Sequence, residues 1–378
     1  MGIFSDSVST FLSVLQPFLE DESVSEVLVN GPNEVFIERK GLLEKTSVRF
    51  HDEQALQAAV RNIAQFVGRR IDEENPILDA RLPDGSRVAA VIPPCSRKGT
   101  TLSIRKFSKG HPTFVDLINR GSISKEGARF LDVCVYLAKN VIVSGGTGSG
   151  KTTFLNVLGS RVAGNQRLLI IEDSAELKIK TDHMVSFETR PPNADGKGEV
   201  SIRDLLRSAL RLRPDRIVVG EVRGAEALEL ITAMNTGHGG SMGTVHANSP
   251  YDALVRLETL SMMGDVNIPT QALRRQISSA LHLVVQIKRL NDGSRKVTHI
   301  SEVLTDTDNQ GRYQLREIYK FVQRGRTAEG KTVGEFVPTG YIPSFMSEIE
   351  VNRLPFPREN FKAPPWYTEM VQSGKLAA

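Results

Sequence analysis

The stretch that decides the fold is Asn140–Thr153, NVIVSGGTGSGKTT. Val141, Ile142 and Val143 run into seven residues drawn only from Gly, Ser and Thr, and Lys151, Thr152 and Thr153 follow at once. An apolar run of that kind reads as a buried strand. KTTFLNVLGSRVAG, which follows, reads as a helix, so the glycines form a strand-to-helix loop. Gly145 to Thr152, GGTGSGKT, fits the pattern G-x-x-x-x-G-K-[ST] in that strand–loop–helix context. Backbone N–H groups of such a loop, together with the helix N-terminus, make an anion cradle. Glycine lets the backbone wrap a phosphate without Cβ clashes. Gly145, Gly146, Thr147, Gly148, Ser149, Gly150, Lys151, Thr152 and Thr153 are therefore the expected binding residues for a nucleoside triphosphate. Lys151 reaches the β- and γ-phosphates and the Thr152 hydroxyl is a Mg²⁺ ligand.

Working outward, apolar runs alternate with helical patterns. RLLIIED precedes SIRDLLRSALRLRP, RIVVGE precedes GAEALELITAMNTG, and SMGTV precedes a helix opened by Ser249-Pro250. That alternation predicts an α/β domain with a mostly parallel sheet and helices on both faces. HLVVQIKRLNDGSRKVTHISEVL and YQLREIYKFV add hairpin-like strands at one edge. Upstream, SEVLVNG and NEVFIERKG read as strands joined by a Gly-Pro-Asn turn, HDEQALQAAVRNIAQFVG as an amphipathic helix, and ARLPDGSRVAAVIPP as a hairpin, all in an α+β module. The expected divisions are an N-terminal amphipathic segment at 1–23, the α+β domain at 24–107, a hinge linker at 108–115 around SKGHP, a P-loop domain at 116–337 and a Pro-rich C-terminal arm at 338–378. The arm, with six of the eighteen prolines between Pro338 and Pro365, reads as irregular, packed on its own domain or on a neighbour.

Composition narrows the class. At 378 residues, 40% hydrophobic and 24% charged, the chain is long enough for two cores and is not disordered. Lys plus Arg exceeds Asp plus Glu by 48 − 44 = 4, with no clustered basic block. With aromatic residues at 6% and the sole tryptophan in the arm, little supports a single-strand nucleic-acid channel. Cys95 and Cys134 have no partner at a metal-ligand spacing, which fits a reducing compartment. With no long apolar run and no basic signal-peptide start, the expected location is cytoplasmic, with any membrane contact peripheral.

A phosphate loop needs acidic groups on neighbouring strands to hold Mg²⁺ and orient water. LLIIEDSAE supplies Glu172, Asp173 and Glu176 past one strand end, and RIVVGE supplies Glu221 at another, the edge where open α/β sheets bind ligands. TGHGGSMGTVHANS brings His238 and His246. Their spacing suits no shared metal, leaving hydrogen bonding near the phosphates or plain packing.

In order, GGTGSGKT, IIEDSAEL, VVGEVRG and TGHGGSMGTVHAN resemble the Walker A, Asp-box, Walker B and His-box motifs of the secretion ATPase superfamily. VLVNGPNEVFIERKG, RLPDGSRVAAVIPP and EFVPTGYIPSF are most similar to the Tad/CpaF branch, which powers tight-adherence pili. The neighbouring alternative is a type IV secretion or conjugation traffic ATPase. This resemblance implies a RecA-like P-loop ATPase domain preceded by a PAS-like N-terminal domain, and an ATP- and Mg²⁺-dependent motor. It implies a homo-oligomeric hexamer ring working on an inner-membrane platform protein, with nucleotide between the domains and no nucleic acid. Glu176 matches the glutamate that polarises the attacking water and Glu221 the Walker B glutamate near Mg²⁺, and either could be the base. Arg87 and Arg105, with Arg81 as a third, match N-terminal-domain arginines that reach the γ-phosphate; the resemblance also implies that His238 and His246 lie at the nucleotide. An extension ahead of VLVNG is shorter than is common in Tad/CpaF chains, and the tetracysteine cluster of some type II secretion members is missing. A non-hydrolysing nucleotide-gated scaffold is the remaining reading.

Overall fold

The computed structural model describes residues 11–39, 41–82, 84–106, 110, 112–192, 197–264 and 268–376. They fall into two compact units that divide at Gly110. Most of the expected SKGHP hinge, and the first ten residues of the expected amphipathic segment, lie outside the described residues.

The first unit holds a six-stranded antiparallel sheet of β1 (Val24–Asn30), β2 (Val35–Arg39), β3 (Leu42–Lys45), β4 (Ile77–Arg81), β5 (Arg87–Val91) and β6 (Thr101–Arg105), ordered β3-β2-β1-β6-β5-β4. Its strands alternate: Val88 and Ala90 are buried while Arg87, Ala89 and Val91 are not. One face thus meets a core, the signature of a half-covered antiparallel sheet. The helix Glu53–Phe66 supplies Leu56, Ala59, Val60, Ile63 and Ala64 to that core, and the Asp52 side chain caps it by accepting from Ala55 N.

The second unit is built on a nine-stranded sheet. Its strands are β7 (Val141–Gly145), β8 (Leu168–Glu172), β9 (Met184–Glu188), β10 (Arg216–Val222), β11 (Met242–Val245), β12 (Leu283–Arg289), β13 (Arg295–Val303), β14 (Leu315–Arg326) and β15 (Thr332–Pro338), ordered β15-β14-β13-β12-β7-β11-β10-β8-β9. From β12 through β9 every pairing is parallel, while β13, β14 and β15 join antiparallel. Strands β7 and β8 are buried throughout, because helices cover both faces. Helix starts follow local chemistry. Ser201 and Asp204 form a capping box for Ile202–Ala209, and Ser249 caps Pro250–Ser261 with Pro250 in its first turn. Strand β9 is an edge strand in which half-buried Val185 and Phe187, packed against the core, alternate with exposed residues.

The C-terminal arm is more ordered than its prolines predict. It forms the helices Met346–Val351 and Pro365–Gln372 and the 3₁₀ turn Arg358–Phe361. Phe345, Phe356 and Phe361 surround Phe130 with ring centroids 5.5–6.2 Å away. Buried Glu302 on β13 accepts from the Tyr341 hydroxyl at 2.9 Å, and buried Lys139 pairs with Glu348 at 2.7 Å. The arm is therefore part of the second unit's core. Among the described residues no helix is long and apolar enough to cross a membrane.

Candidate functional site

Parallel register sets one sheet edge apart from the other. Ser144 of β7 lies beside Val245 of β11, Val245 beside Val222 of β10, and Val219 of β10 beside Ile171 of β8. The residues that end or follow these strands share the carboxyl edge: the Gly145–Thr152 loop, Asp173 and Glu176, Glu221 near the end of β10, and His246.

The loop is shaped by sterics and by its own hydrogen bonds. Gly148 and Gly150 have φ of +69° and +97°, a region that favours glycine. A Cβ on Gly145 would lie 2.5 Å from Ile287 O, so β12 can approach only a glycine there. Three donors converge on the Gly146 carbonyl: Ser149 N at 3.3 Å, Ser149 Oγ at 2.8 Å and Lys151 Nζ at 3.2 Å. Thr147 is exposed at the tip, and Thr152 and Thr153 stand in the first turn of the helix Lys151–Gly159. That helix packs across β7, β11 and β10.

The acidic groups gather round one cation. Arg223 Nε donates to Glu221 at 2.8 Å and its Nη1 to Asp173 at 3.2 Å. Burial alone would lower the Arg223 guanidinium. The bond to Glu221 and the charges of Glu221, Asp173 and Glu176 instead hold it above its ordinary value. Glu226 fixes the Arg223 backbone, accepting from Arg223 N at 2.6 Å and Gly224 N at 2.8 Å. Glu172 plays a different part from its neighbours. Buried at the end of β8, it accepts from Glu176 N and Leu177 N at 2.9 and 3.0 Å, and so shapes the turn that carries Glu176. Gly220 is needed beside it, since a Cβ there would stand 2.9 Å from Glu172 Cγ. Asn156, on the helix after the loop, accepts from Lys178 N at 2.7 Å and ties the same segment to that helix.

The two histidines part company. His246 follows β11 at the carboxyl edge and is exposed. His238 precedes β11 at the opposite edge, where its Nδ1 lies 3.3 Å from Ala233 O and its carbonyl accepts from Ser241 Oγ. The structure does not bring His238 to the loop, because strand direction puts a whole strand between the two. Closeness in sequence had grouped them.

In the first unit, Arg81, Arg87 and Arg105 stand in one row across β4, β5 and β6, directly opposite one another, with Glu26 beyond Arg105 on β1. Directly opposed residues share a face, so three guanidiniums line one face at one end of that sheet.

Among the described residues, no three His, Cys, Asp or Glu side chains converge as a metal cage. Mg²⁺ in phosphate sites does not need one. It keeps several waters and takes one or two carboxylates with the substrate phosphates, a donor set that Thr152 and Glu221 fit.

Sequence reasoning missed Arg223, Asn156 and two arginines of the β12–β13 hairpin. Arg295 Nε donates to Gly148 O at 2.9 Å, and Arg289 Nη1 lies 3.3 Å from where a Gly148 Cβ would stand. Only Arg223 had a local signal, its place two residues after Glu221.

A strand–loop–helix phosphate cradle on a mostly parallel sheet, faced by strand-end carboxylates, defines a RecA-like P-loop fold. The sequence matches the type II/IV secretion system protein family over residues 10–333, and the chain belongs to that family of secretion ATPases. It is 37% identical over 298 residues to a Mycobacterium tuberculosis protein named for conjugal transfer, a match that covers 77% of this chain and 84% of that one. The type IV secretion system protein VirB11 of Brucella suis is 32% identical over 342 residues, covering 83% of this chain and 94% of its own. Two solved structures share the fold at low identity. The pilus retraction motor PilT with bound ADP has a TM-score of 0.51 at 18% identity and covers 97% of this chain and 89% of that one. The Legionella pneumophila ATPase DotB has a TM-score of 0.50 at 20% identity, covering 79% and 81%.

Proposed function

We propose that this chain hydrolyses ATP to drive a pilus of the tight-adherence kind, working as a hexameric ring at the cytoplasmic face of the inner membrane on a platform protein. The observation that carries the reading is the carboxyl edge, where the Gly145–Thr152 loop shares one rim with Asp173, Glu176 and Glu221 gathered round Arg223. The segments VLVNGPNEVFIERKG, RLPDGSRVAAVIPP and EFVPTGYIPSF support the tight-adherence branch.

In this reading the loop N–H groups and Lys151 bind the β- and γ-phosphates. Bound Mg²⁺ supplies charge neutralisation on the phosphate oxygens, with Thr152 and Glu221 on its side of the site. Glu176, on the turn shaped by Glu172, orients and deprotonates water, and Glu221 shares that electrostatic task. Arg223 holds Glu221 and Asp173 in place. Charge that builds on the phosphoryl group is met by Arg87 and Arg105, the sort of electrostatic stabilisation that dominates phosphoryl transfer. His246 hydrogen-bonds near the γ-phosphate and reports its presence to the strand it follows.

Likeness to VirB11 and to the protein named for conjugal transfer favours a second reading, a type IV secretion traffic ATPase. A chromosomal Lys151→Ala substitution separates the two. Loss of surface pili with conjugation intact supports the pilus motor, and the reverse supports the traffic ATPase. Purified full-length Lys151→Ala protein should release phosphate at background rate; sustained turnover would sink both readings.

A further inference from the structure

The β12–β13 hairpin runs IKRLNDGSRK and is built unlike an ordinary surface hairpin. Two like-charged pairs stand directly opposite in succession, Lys288 with Lys296 and Arg289 with Arg295. Like charges directly opposite one another destabilise a strand ladder. The hairpin is also held on two sides. Asp292 in its turn accepts from Ser294 N and Oγ at 2.9 and 2.6 Å and from Thr332 N of β15 at 2.7 Å. Those bonds, Ser294's hydroxyl first, hold the Asp292 carboxyl well below the usual carboxylate range. Lys296 Nζ donates to Gly121 O at 2.6 Å.

What this fixed element meets is the outer side of the phosphate loop. Arg295 Nε donates to the Gly148 carbonyl at 2.9 Å, and Arg295 Cδ lies 3.3 Å from where a Cβ on Gly150 would be. Arg289 Nη1 is equally close to the corresponding point on Gly148. A trans peptide points its C=O and its N–H in opposite directions. A guanidinium that holds the Gly148 carbonyl outward therefore turns the next N–H, that of Ser149, toward the inside of the loop. There the Ser149 N–H donates to Gly146 O. Inward N–H groups are what make such a loop bind anions.

We propose that Arg295, backed by Arg289 on the anchored β12–β13 hairpin, is a positioning residue that holds the phosphate loop in its anion-binding form. Arg295 acts on the loop's outer side and touches no phosphate. The role rests on the nucleotide reading of the loop given above, and it adds a part of the chain 147 residues away from Gly148 to that site.

The test uses the full chain, with fluorescent ADP as the binding probe and amide hydrogen exchange across residues 146–151 without nucleotide. Arg295→Ala should speed that exchange about tenfold, weaken ADP binding about tenfold and raise KM for ATP by a similar factor, while kcat stays within threefold. Thermal unfolding checks that the variant is folded. Arg295→Lys places its ammonium one bond beyond the Nε position and should recover less than half of the lost affinity. Unchanged loop exchange in a folded Arg295→Ala protein would overturn the proposal. So would full recovery by Arg295→Lys, since a nearby charge would then suffice. Lys151→Ala serves as the reference. If it leaves ADP affinity intact, the nucleotide reading fails, whereas the exchange measurement still decides whether Arg295 holds the loop.

Discussion

The two edges of the nine-stranded sheet are equally rich in polar groups and are built to opposite ends. At the amino edge, buried polar atoms are tied to backbone. Asn140 donates through Nδ2 to Ala280 O at 2.6 Å and Met234 O at 3.3 Å, accepts from Ser241 N at 3.1 Å, and its own N–H reaches His282 Nδ1 at 3.1 Å. Buried Arg216 is bound by Val135 O and Gln166 Oε1, both at 2.7 Å, and burial pushes its guanidinium down to about 10. At the carboxyl edge, carboxylates share one guanidinium. Just beneath the loop, among the described residues, the buried Ser144 Oγ and Gln286 Oε1 have no partner, although their residues are strand neighbours. The amino-edge groups named here are fixed by backbone partners, whereas the carboxyl edge holds crowded carboxylates and two orphaned buried oxygens.

That contrast can be broken by exchanging what each edge costs to disturb. The largest effect is expected at the carboxyl edge. Glu221→Gln should slow phosphate release about 100-fold or more, the scale of losing one charge stabiliser. Its unfolding free energy should stay within about 1 kcal/mol of wild type, because the Arg223 pair it weakens is partly solvent-exposed. Next comes Asn140→Ala, which orphans Ser241 N and the carbonyls of Ala280 and Met234. Chemical denaturation should show a loss of roughly 2–4 kcal/mol, with hydrolysis per folded molecule nearly unchanged. Equal activity and stability losses in both variants would erase the distinction between the edges.

The smallest effect sharpens it through pH. Burial, then the nearby Lys139 charge, pushes His282 down to about 4 from an ordinary 6.5. Its Nδ1 accepts from Asn140 N, so the folded protein wants it neutral. The unfolded chain therefore binds the proton first. Stability from this group is complete above pH 6.5 and is lost as pH falls toward 4, by at most about 3 kcal/mol. Urea midpoints at pH 7 and pH 4.5 measure that loss, and a His282→Gln variant should flatten it.

Legibility followed sequence distance. The phosphate loop, the parallel alternation and the Ser249 cap were readable because strand, loop and helix each carry their signal within a few residues. The carboxylates at the ends of β8 and β10 were readable as strand ends, but Arg223's bridging of them was not. Asp173 and Arg223 lie 50 residues apart and meet only through the pairing of β8 with β10. Arg295 is farther still from the loop it touches. In the arm, proline content masked the short helices, since Pro364 and Pro365 begin a helix rather than break one. His238 shows the reverse case. Eight residues from His246 looked like proximity, yet a four-residue strand lies between them and carries them to different edges.

The Gly146 carbonyl has a consequence for what the loop can discriminate. Ser149 N, Ser149 Oγ and Lys151 Nζ already have an acceptor in it. An arriving anion oxygen exchanges with that carbonyl rather than adding to it, so the number of hydrogen bonds hardly changes. What changes is the charge of the acceptor, and bonds to an ionised acceptor are about twice as strong as neutral ones. The loop then behaves as an ion exchanger. If the loop binds phosphate as proposed, that exchange would favour polyphosphates over singly charged anions and weaken as salt rises.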